Sequence, residues 1–275
     1  MVRVVTGVVL GGAVLGLLAL GRAPFFLLVL AVVLVAQAEL YHALRQAEYD
    51  PATSLGLVAG AVLLGGTYLR GGAAVGLVLF LTLVFSFVWY AGAGREASGP
   101  TAEAEPVPLG RSATAGIAVT MLGVAYVPLL AAFAVLLLTR PDGVGLVLTL
   151  VGGVAVYDTV AYFAGRAFGR RRLAPSISPG KAIEGTIGAT VGTVLVMAFV
   201  APRLGPWDMV QAALLGTAIC VMAPLGDLFE SLLKRDLGIK DTGMLLPGHG
   251  GALDRIDAIL FCAPAVYASL RVFGL

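Results

Sequence analysis

The chain concentrates its reactive side chains between Ser231 and Asp257, SLLKRDLGIKDTGMLLPGHGGALDRID, where lysines, arginines, aspartates and a histidine interrupt surroundings that are almost all hydrocarbon. A charge at the centre of a bilayer costs roughly 2.5 to 3.5 kcal/mol, so charges beside apolar helices persist where water, ions or a ligand compensate them. Asp227, Ser231 and Lys234 recur at i, i+4 and i+7, one stripe of a helix whose apolar face is Leu228, Phe229, Leu232 and Leu233. Lys234 and Arg235 suit its last turn, and Gly238 suits a left-handed stop. After Lys240-Asp241-Thr242-Gly243, the loop Leu246-Pro247-Gly248-His249-Gly250-Gly251 has glycines that let backbone approach a ligand closely. Asp254 and Asp257 then open the next helix three residues apart, on one face, with Arg255 between them.

Three carboxylates at the ends of two consecutive helices, flanked by lysines, suit magnesium and a polyphosphate, because magnesium commonly takes one or two carboxylates plus phosphate oxygens and water. Lys234, Arg235, Lys240 and Lys181 are placed to neutralise charge developing on a transferred group and its leaving group. A merely solvated loop explains the lysines but not aspartates at the mouth of a span. The glycine loop matches no Walker pattern, so a P-loop NTPase is not supported. His249 is expected to shape the loop or donate to a phosphate rather than to act as a base.

A second constellation lies upstream. Asp158, Tyr162 and Gly165 fall at i, i+4 and i+7 in VAVYDTVAYFAGRAFG, with Arg166 following, which puts a carboxylate and a phenol on one stripe of an apolar helix. An internal Asp–Arg pair is the plain explanation, and contact with a ligand or metal is the sharper one. Arg170-Arg171-Arg172 suits topology and attraction to anionic lipid. Ser178-Pro179-Gly180-Lys181 predicts a turn whose amides and hydroxyl face an anion, with Glu184-Gly185 opening a helix whose N-terminus adds a favourable dipole.

The elements that position these groups are membrane helices. Apolar residues make up 59% of the chain and charged residues 12%, with a mean hydropathy of +0.97, against about 45–50% and about 25% in soluble proteins. The predicted fold is all-α and polytopic, with nine spans of the length that crosses about 30 Å of hydrocarbon. They run from Val4 to Leu20, Phe25 to Leu44, Ser54 to Leu69, Ala73 to Tyr90, Ala115 to Leu138, Val144 to Phe163, Ile183 to Val200, Met209 to Leu225 and Ile256 to Phe273. Thirteen of the 18 lysines and arginines fall on the side of the N-terminus, which predicts N-in and C-out with both charged loops in the cytoplasm.

A Gly-, Pro- and Glu-rich segment, Ala91 to Gly110, reads as a cytoplasmic linker. It divides a four-helix scaffold, residues 1–112, from a five-helix catalytic half, residues 113–275. Gln37, Glu39, Tyr41, His42, Arg45, Gln46 and Glu48 read as the solvated end of the second span. Cys220 and Cys262 match no zinc spacing and read as packing residues. The modest net charge of +2 does not call for nucleic acid.

Ser231, Lys234-Arg235, Lys240-Asp241, Pro247 to Gly251 and Asp254-Arg255-Ile256-Asp257, in that order, resemble the C-terminal signature of the phosphatidate cytidylyltransferases, or CDP-diacylglycerol synthases. Gly226-Asp227, Asp158, Tyr162, Gly165-Arg166 and Ser178-Pro179 look like the same family, so the likeness covers residues 151–275. Lys181-Ala182-Ile183-Glu184-Gly185 departs from the family's Lys-Thr-Trp-Glu-Gly by losing a hydroxyl and an aromatic ring.

The resemblance implies transfer of a cytidylyl group from CTP to phosphatidic acid at the inner membrane, with magnesium as cofactor and a homodimer by analogy. It implies Asp227 and Asp257 as metal ligands, with Asp254 beside them. Asp227, Lys234, Asp254 and Asp257 would carry the catalysis. Asp158, Tyr162, Arg166, Ser178, Lys181, Glu184, Ser231, Arg235, Lys240, Asp241, His249, Gly250 and Gly251 would contact substrate. Whether a second, monovalent cation joins magnesium stays open. Two other classes fit the residues alone: a CTP-dependent lipid kinase, which leaves CDP instead of pyrophosphate, and a transporter lined by Asp158.

Overall fold

The computed structural model describes residues 12, 16–92, 109–243 and 250–275. Its helices are α1 (Arg22–Gln46), α2 (Thr53–Arg70), α3 (Ala73–Gly92), α4 (Ala113–Val124), α5 (Leu130–Thr139), α6 (Gly143–Phe168), α7 (Ile183–Leu204), α8 (Met209–Asp236) and α9 (Leu253–Val272). Six helical runs, α1, α3, α4 through α5, α6, α7 and α8, are long and apolar enough to cross a membrane among the described residues. The chain is therefore a mostly helical integral membrane protein. α2 and α9 coincide with two further predicted spans, and α9 carries Asp254, Arg255, Asp257 and Arg271. Most of the first predicted span and of the predicted linker lies outside the described residues.

Two compact units divide the chain, Met1–Phe26 with Phe133–Asp236 and Asp254–Leu275, and Leu27–Ala132 with Leu237–Leu253. In the first, α6 to α9 bury Leu146, Leu150, Val154 and Tyr157 against Met197, Leu215, Ile219, Cys262 and Val266. On α7, Ile187, Val191, Leu195 and Phe199 stand exposed at every fourth residue, an apolar stripe of the kind that faces lipid. Asp208 caps α8 by accepting from the amides of Val210 and Gln211, both at 2.8 Å, while its own amide donates to Gln211 at 3.0 Å. The two cysteines are free and buried, as packing residues should be.

One element departs from the all-α expectation. Between α6 and α7 the chain forms an antiparallel hairpin, β1 (Arg172–Ala174) and β2 (Ser178–Ala182), with Arg172 opposite Ala182 and Ala174 opposite Ser178. The turn falls at residues 175–177, so Ser178-Pro179-Gly180-Lys181 is strand and not the predicted turn. In a sheet of two strands each has a free edge, and there a proline without an N–H is tolerated.

In the second unit, the helical run from Ala113 widens into a π-turn at Ala125–Leu129 around Pro128, whose ring and missing N–H displace the regular ladder. Gln37 and Tyr41, predicted at a solvated helix end, are fully buried. Gln37 donates to the Gly56 carbonyl at 2.9 Å and Tyr41 to the Thr120 carbonyl at 2.8 Å, so these donors are met by neighbouring helices instead of water, while Gln37 Oε1 is buried without a partner. His42 is exposed beside Gln46, as expected.

Candidate active site

The site lies where α8 and α9 cross within the first unit. A Cβ on Gly226 would sit 2.6 Å from the Asp257 carbonyl oxygen and 3.0 Å from the Ala258 Cα. Only glycine lets these backbones meet so closely, and the next residue, Asp227, thereby comes within reach of Asp257.

Carboxyls from the two helices alternate in a row. Asp257 is near enough to Asp227 and Glu230 to be coupled electrostatically to both, and Glu230 is coupled in the same way to Asp254. Glu230 is 2% exposed and Asp257 7%. Two ammonium groups flank the row. Lys234 donates to Glu230 at 3.0 Å and to Asp254 at 2.7 Å, and Lys181 of β2 pairs with Asp227. Asp257 also accepts from the amide of Ala258 at 2.8 Å. The other oxygen of Glu230, Oε1, is buried without a hydrogen-bond donor.

Asp227 leads into a cavity of about 420 Å³ bounded by α6, the hairpin and α7. Its walls carry Asp158, Arg166, Arg172 and Lys181 beside Tyr157 and Tyr162. Where α6 and α7 meet behind it, a Cβ on Gly185 would lie 2.8 Å from the Ala161 carbonyl and 3.0 Å from the Gly165 Cα, so the two helices close tightly under the cavity. Asp158 is close enough to Asp227 and Lys181 to sense both charges. Arg166 donates to the Tyr162 hydroxyl at 3.2 Å. The cavity thus mixes three cationic and two acidic side chains, a lining able to hold phosphate at one wall and hydroxyl or amine donors at another.

Several predicted residues stand elsewhere. Glu184 accepts from the amides of Arg170 at 3.0 Å and Arg171 at 3.2 Å, tying the entry of the hairpin to the first turn of α7. Ser178 pairs with Ala174, outside the cavity lining. Arg235 reaches the Ile177 carbonyl at 3.4 Å, and Ser231 is half-buried on α8. Lys240 and Asp241 are exposed on the segment Leu237–Leu253 of the second unit, where Gly250 has φ 79°. His249 lies outside the described residues.

Glu230 and Tyr157 were not singled out from the sequence, and Arg172 was read only as part of an arginine run suited to topology and anionic lipid. Glu230 carried a legible signal, since it stands three residues after Asp227 and four before Lys234, the spacing of a helical ion pair. The predicted metal ligands do not form a ready-made cage: among the described residues no three His, Cys, Asp or Glu side chains converge as a ligand set.

Residues 1–273 match the model of the cytidylyltransferase family. The chain is 35% identical to a phosphatidate cytidylyltransferase of Mycobacterium leprae, over 98% of this chain and 86% of that protein. It is 44% identical to one of Haemophilus influenzae over 44% of each chain, and 39% identical to one of Thermotoga maritima over 48% of this chain and 52% of that one. With a family model spanning nearly every residue and a relative matched along nearly its whole length, the chain belongs to the cytidylyltransferase family.

Proposed function

We propose that this protein transfers the cytidylyl group of CTP to phosphatidic acid, giving CDP-diacylglycerol and pyrophosphate. The observation that carries this reading is the row Asp254, Glu230, Asp257, Asp227, flanked by Lys234 and Lys181 and opening at Asp227 onto the cavity. In the reaction a phosphate oxygen of the lipid attacks the α-phosphorus of CTP. The new O–P bond forms as the bond from that phosphorus to the bridging oxygen breaks, and pyrophosphate leaves with the electron pair. The nucleophile is already an anion, so the protein has to align two repelling anions and offset their charge.

Arg166, Arg172 and Lys181 line the cavity and are assigned to phosphate oxygens. Asp158 and Tyr162 suit hydroxyl and amine donors on the substrates. Lys234 commits its ammonium to Glu230 and Asp254, so it orients the acidic row instead of reaching the substrate.

A magnesium ion fits this donor set. Four carboxyls stand beside two ammonium groups, and one buried carboxyl oxygen has no donor. Magnesium needs only one or two protein carboxylates. Asp227 and Asp257 are the assigned ligands, with Asp254 and Asp158 next to them. When bound, the ion supplies positive charge toward the phosphates. Nine spans with the N-terminus inside would set Lys181, Lys234 and Lys240 at the cytoplasmic face of the cell membrane, with the lipid entering sideways from the bilayer.

The test is incubation of detergent-purified protein with labelled CTP, magnesium and phosphatidic acid, with both products identified. CDP-diacylglycerol and pyrophosphate are expected. Release of CDP with a newly phosphorylated lipid would replace this reading with a kinase.

A further inference from the structure

Glu39 stands on α1, half-buried, 214 residues from the backbone it touches. Its Oε2 accepts at 3.1 Å from the amide of Leu253, the first residue of α9. The same carboxylate meets the chain on both sides of residues 244–249. A Cβ on Gly251 would lie 2.5 Å from Oε2 and 2.7 Å from the hydroxyl oxygen of Thr242, which is itself buried. A Cβ on Gly243 would overlap Oε1. Neither glycine has a positive φ, in contrast to Gly250, so what excludes a side chain at 243 and 251 is the space taken by Glu39 and not the backbone conformation.

We infer that Glu39 is a positioning residue that clasps the chain on both sides of residues 244–249, holding Gly243, Gly251 and the first amide of α9 on one carboxylate. A carboxylate at a helix N-terminus is also favoured by the helix dipole. The front of the chain is therefore more than a scaffold, because it fixes the path of the segment that carries Lys240 and Asp241. This inference rests on reading that segment as a substrate contact.

The experiment is a mutant cycle on the 275-residue chain in detergent, read by turnover, by KM for each substrate and by amide hydrogen exchange. Glu39→Ala is expected to lower kcat/KM for CTP about tenfold to a hundredfold, the range for losing one hydrogen bond to a charged group. The loss should appear mainly in KM for CTP, with KM for phosphatidic acid unchanged, and amides of 237–243 and 250–253 should exchange faster. Gly243→Ala should be similarly harmful in the wild type and nearly neutral in the Glu39→Ala background, because the three atoms nearest the added methyl all belong to Glu39. Glu39→Gln keeps an acceptor for the Leu253 amide and should recover most of the activity.

Should Glu39→Ala not fold, Glu39→Asp, one methylene shorter, gives the same relief of Gly243→Ala. Equal harm from Gly243→Ala in both backgrounds, unchanged exchange at the neck, or a Gln variant as poor as Ala would each overturn the clasp. Wild-type protein that made no CDP-diacylglycerol would instead refute the proposed reaction, and hydrogen exchange would still decide the clasp.

Discussion

Replacing Lys234 with methionine tests the acidic row most directly, because the substitution keeps the length of the stem and removes only the charge. The ammonium holds Glu230 at 3.0 Å and Asp254 at 2.7 Å, and the side chain is 17% exposed. Without it two carboxylates remain side by side, with side chains 3% and 12% exposed and no cation between them. Breaking a buried pair by deleting one partner costs about 3 to 5 kcal/mol, since the surviving charge keeps its desolvation penalty and loses its compensation. Here the penalty concerns two survivors, offset in part by the water that reaches Asp254, so the lower end of about 3 kcal/mol is expected. That is a factor of roughly 150 in the folded-to-unfolded ratio.

Unfolding in a denaturing detergent titration, followed by tryptophan fluorescence or helix content, measures it. The double variant Lys234→Met/Glu230→Gln should regain about 1 to 2 kcal/mol, because one of the stranded charges is gone, while turnover stays low. Unchanged stability in Lys234→Met, or a double variant no better than the single one, would mean that the three groups do not share charge as described.

Four further outcomes are expected. Asp257→Asn should abolish magnesium-dependent turnover in purified protein, and full retained turnover would remove Asp257 as a metal ligand. Lys181→Ala frees Asp227 and takes a cation from the cavity wall, so kcat/KM should drop by at least about a hundredfold, the scale of losing one preorganised charge at a phosphoryl-transfer site. Gly226→Ala must push α8 and α9 apart, at a cost of about 1 to 3 kcal/mol in stability, and turnover should fall more than tenfold when the row is pulled apart; steady-state kinetics beside a thermal melt checks both. Glu184→Gln weakens the hold on the amides of Arg170 and Arg171 without touching the cavity, so it should alter turnover by no more than a few-fold, and a complete loss would place Glu184 on the substrate.

What the sequence made legible was local. The i, i+4, i+7 stripe of Asp227, Ser231 and Lys234, the left-handed stop at Gly238 with φ 67°, and the opening of a helix just before Asp254 all depend on a few neighbouring residues, and all are present. Partnerships were not legible. Lys234 reads as a phosphate contact, and its pairing with Asp254 was out of sight because Asp254 is twenty residues away. Pro179-Gly180 reads as a turn because both residues favour one, yet the turn forms three residues earlier, and pairing with β1 draws Ser178 to Ala182 into a strand. Gln37, Glu39 and Tyr41 read as a solvated helix end because polarity rises there, while the contacts that bury them come from residues such as Gly56, Thr120 and Leu253.

The packing beneath the acidic row explains why it stands where it does. Beside Asp227 and Asp257, Gly226 meets the backbone of Asp257 and Ala258, and the small residues Cys220, Ala223, Ala258, Cys262 and Ala263 belong to the buried core of the same unit, so α8 and α9 approach closely at this point. The same apolar floor excludes water from one side of the row, and charges that are screened weakly attract a cation far more strongly than they would in bulk solvent. Widening the crossing should therefore weaken the row before it weakens the fold, which makes the spacing of α8 and α9, rather than any single acid, the property that a phosphate-transferring site at this position depends on.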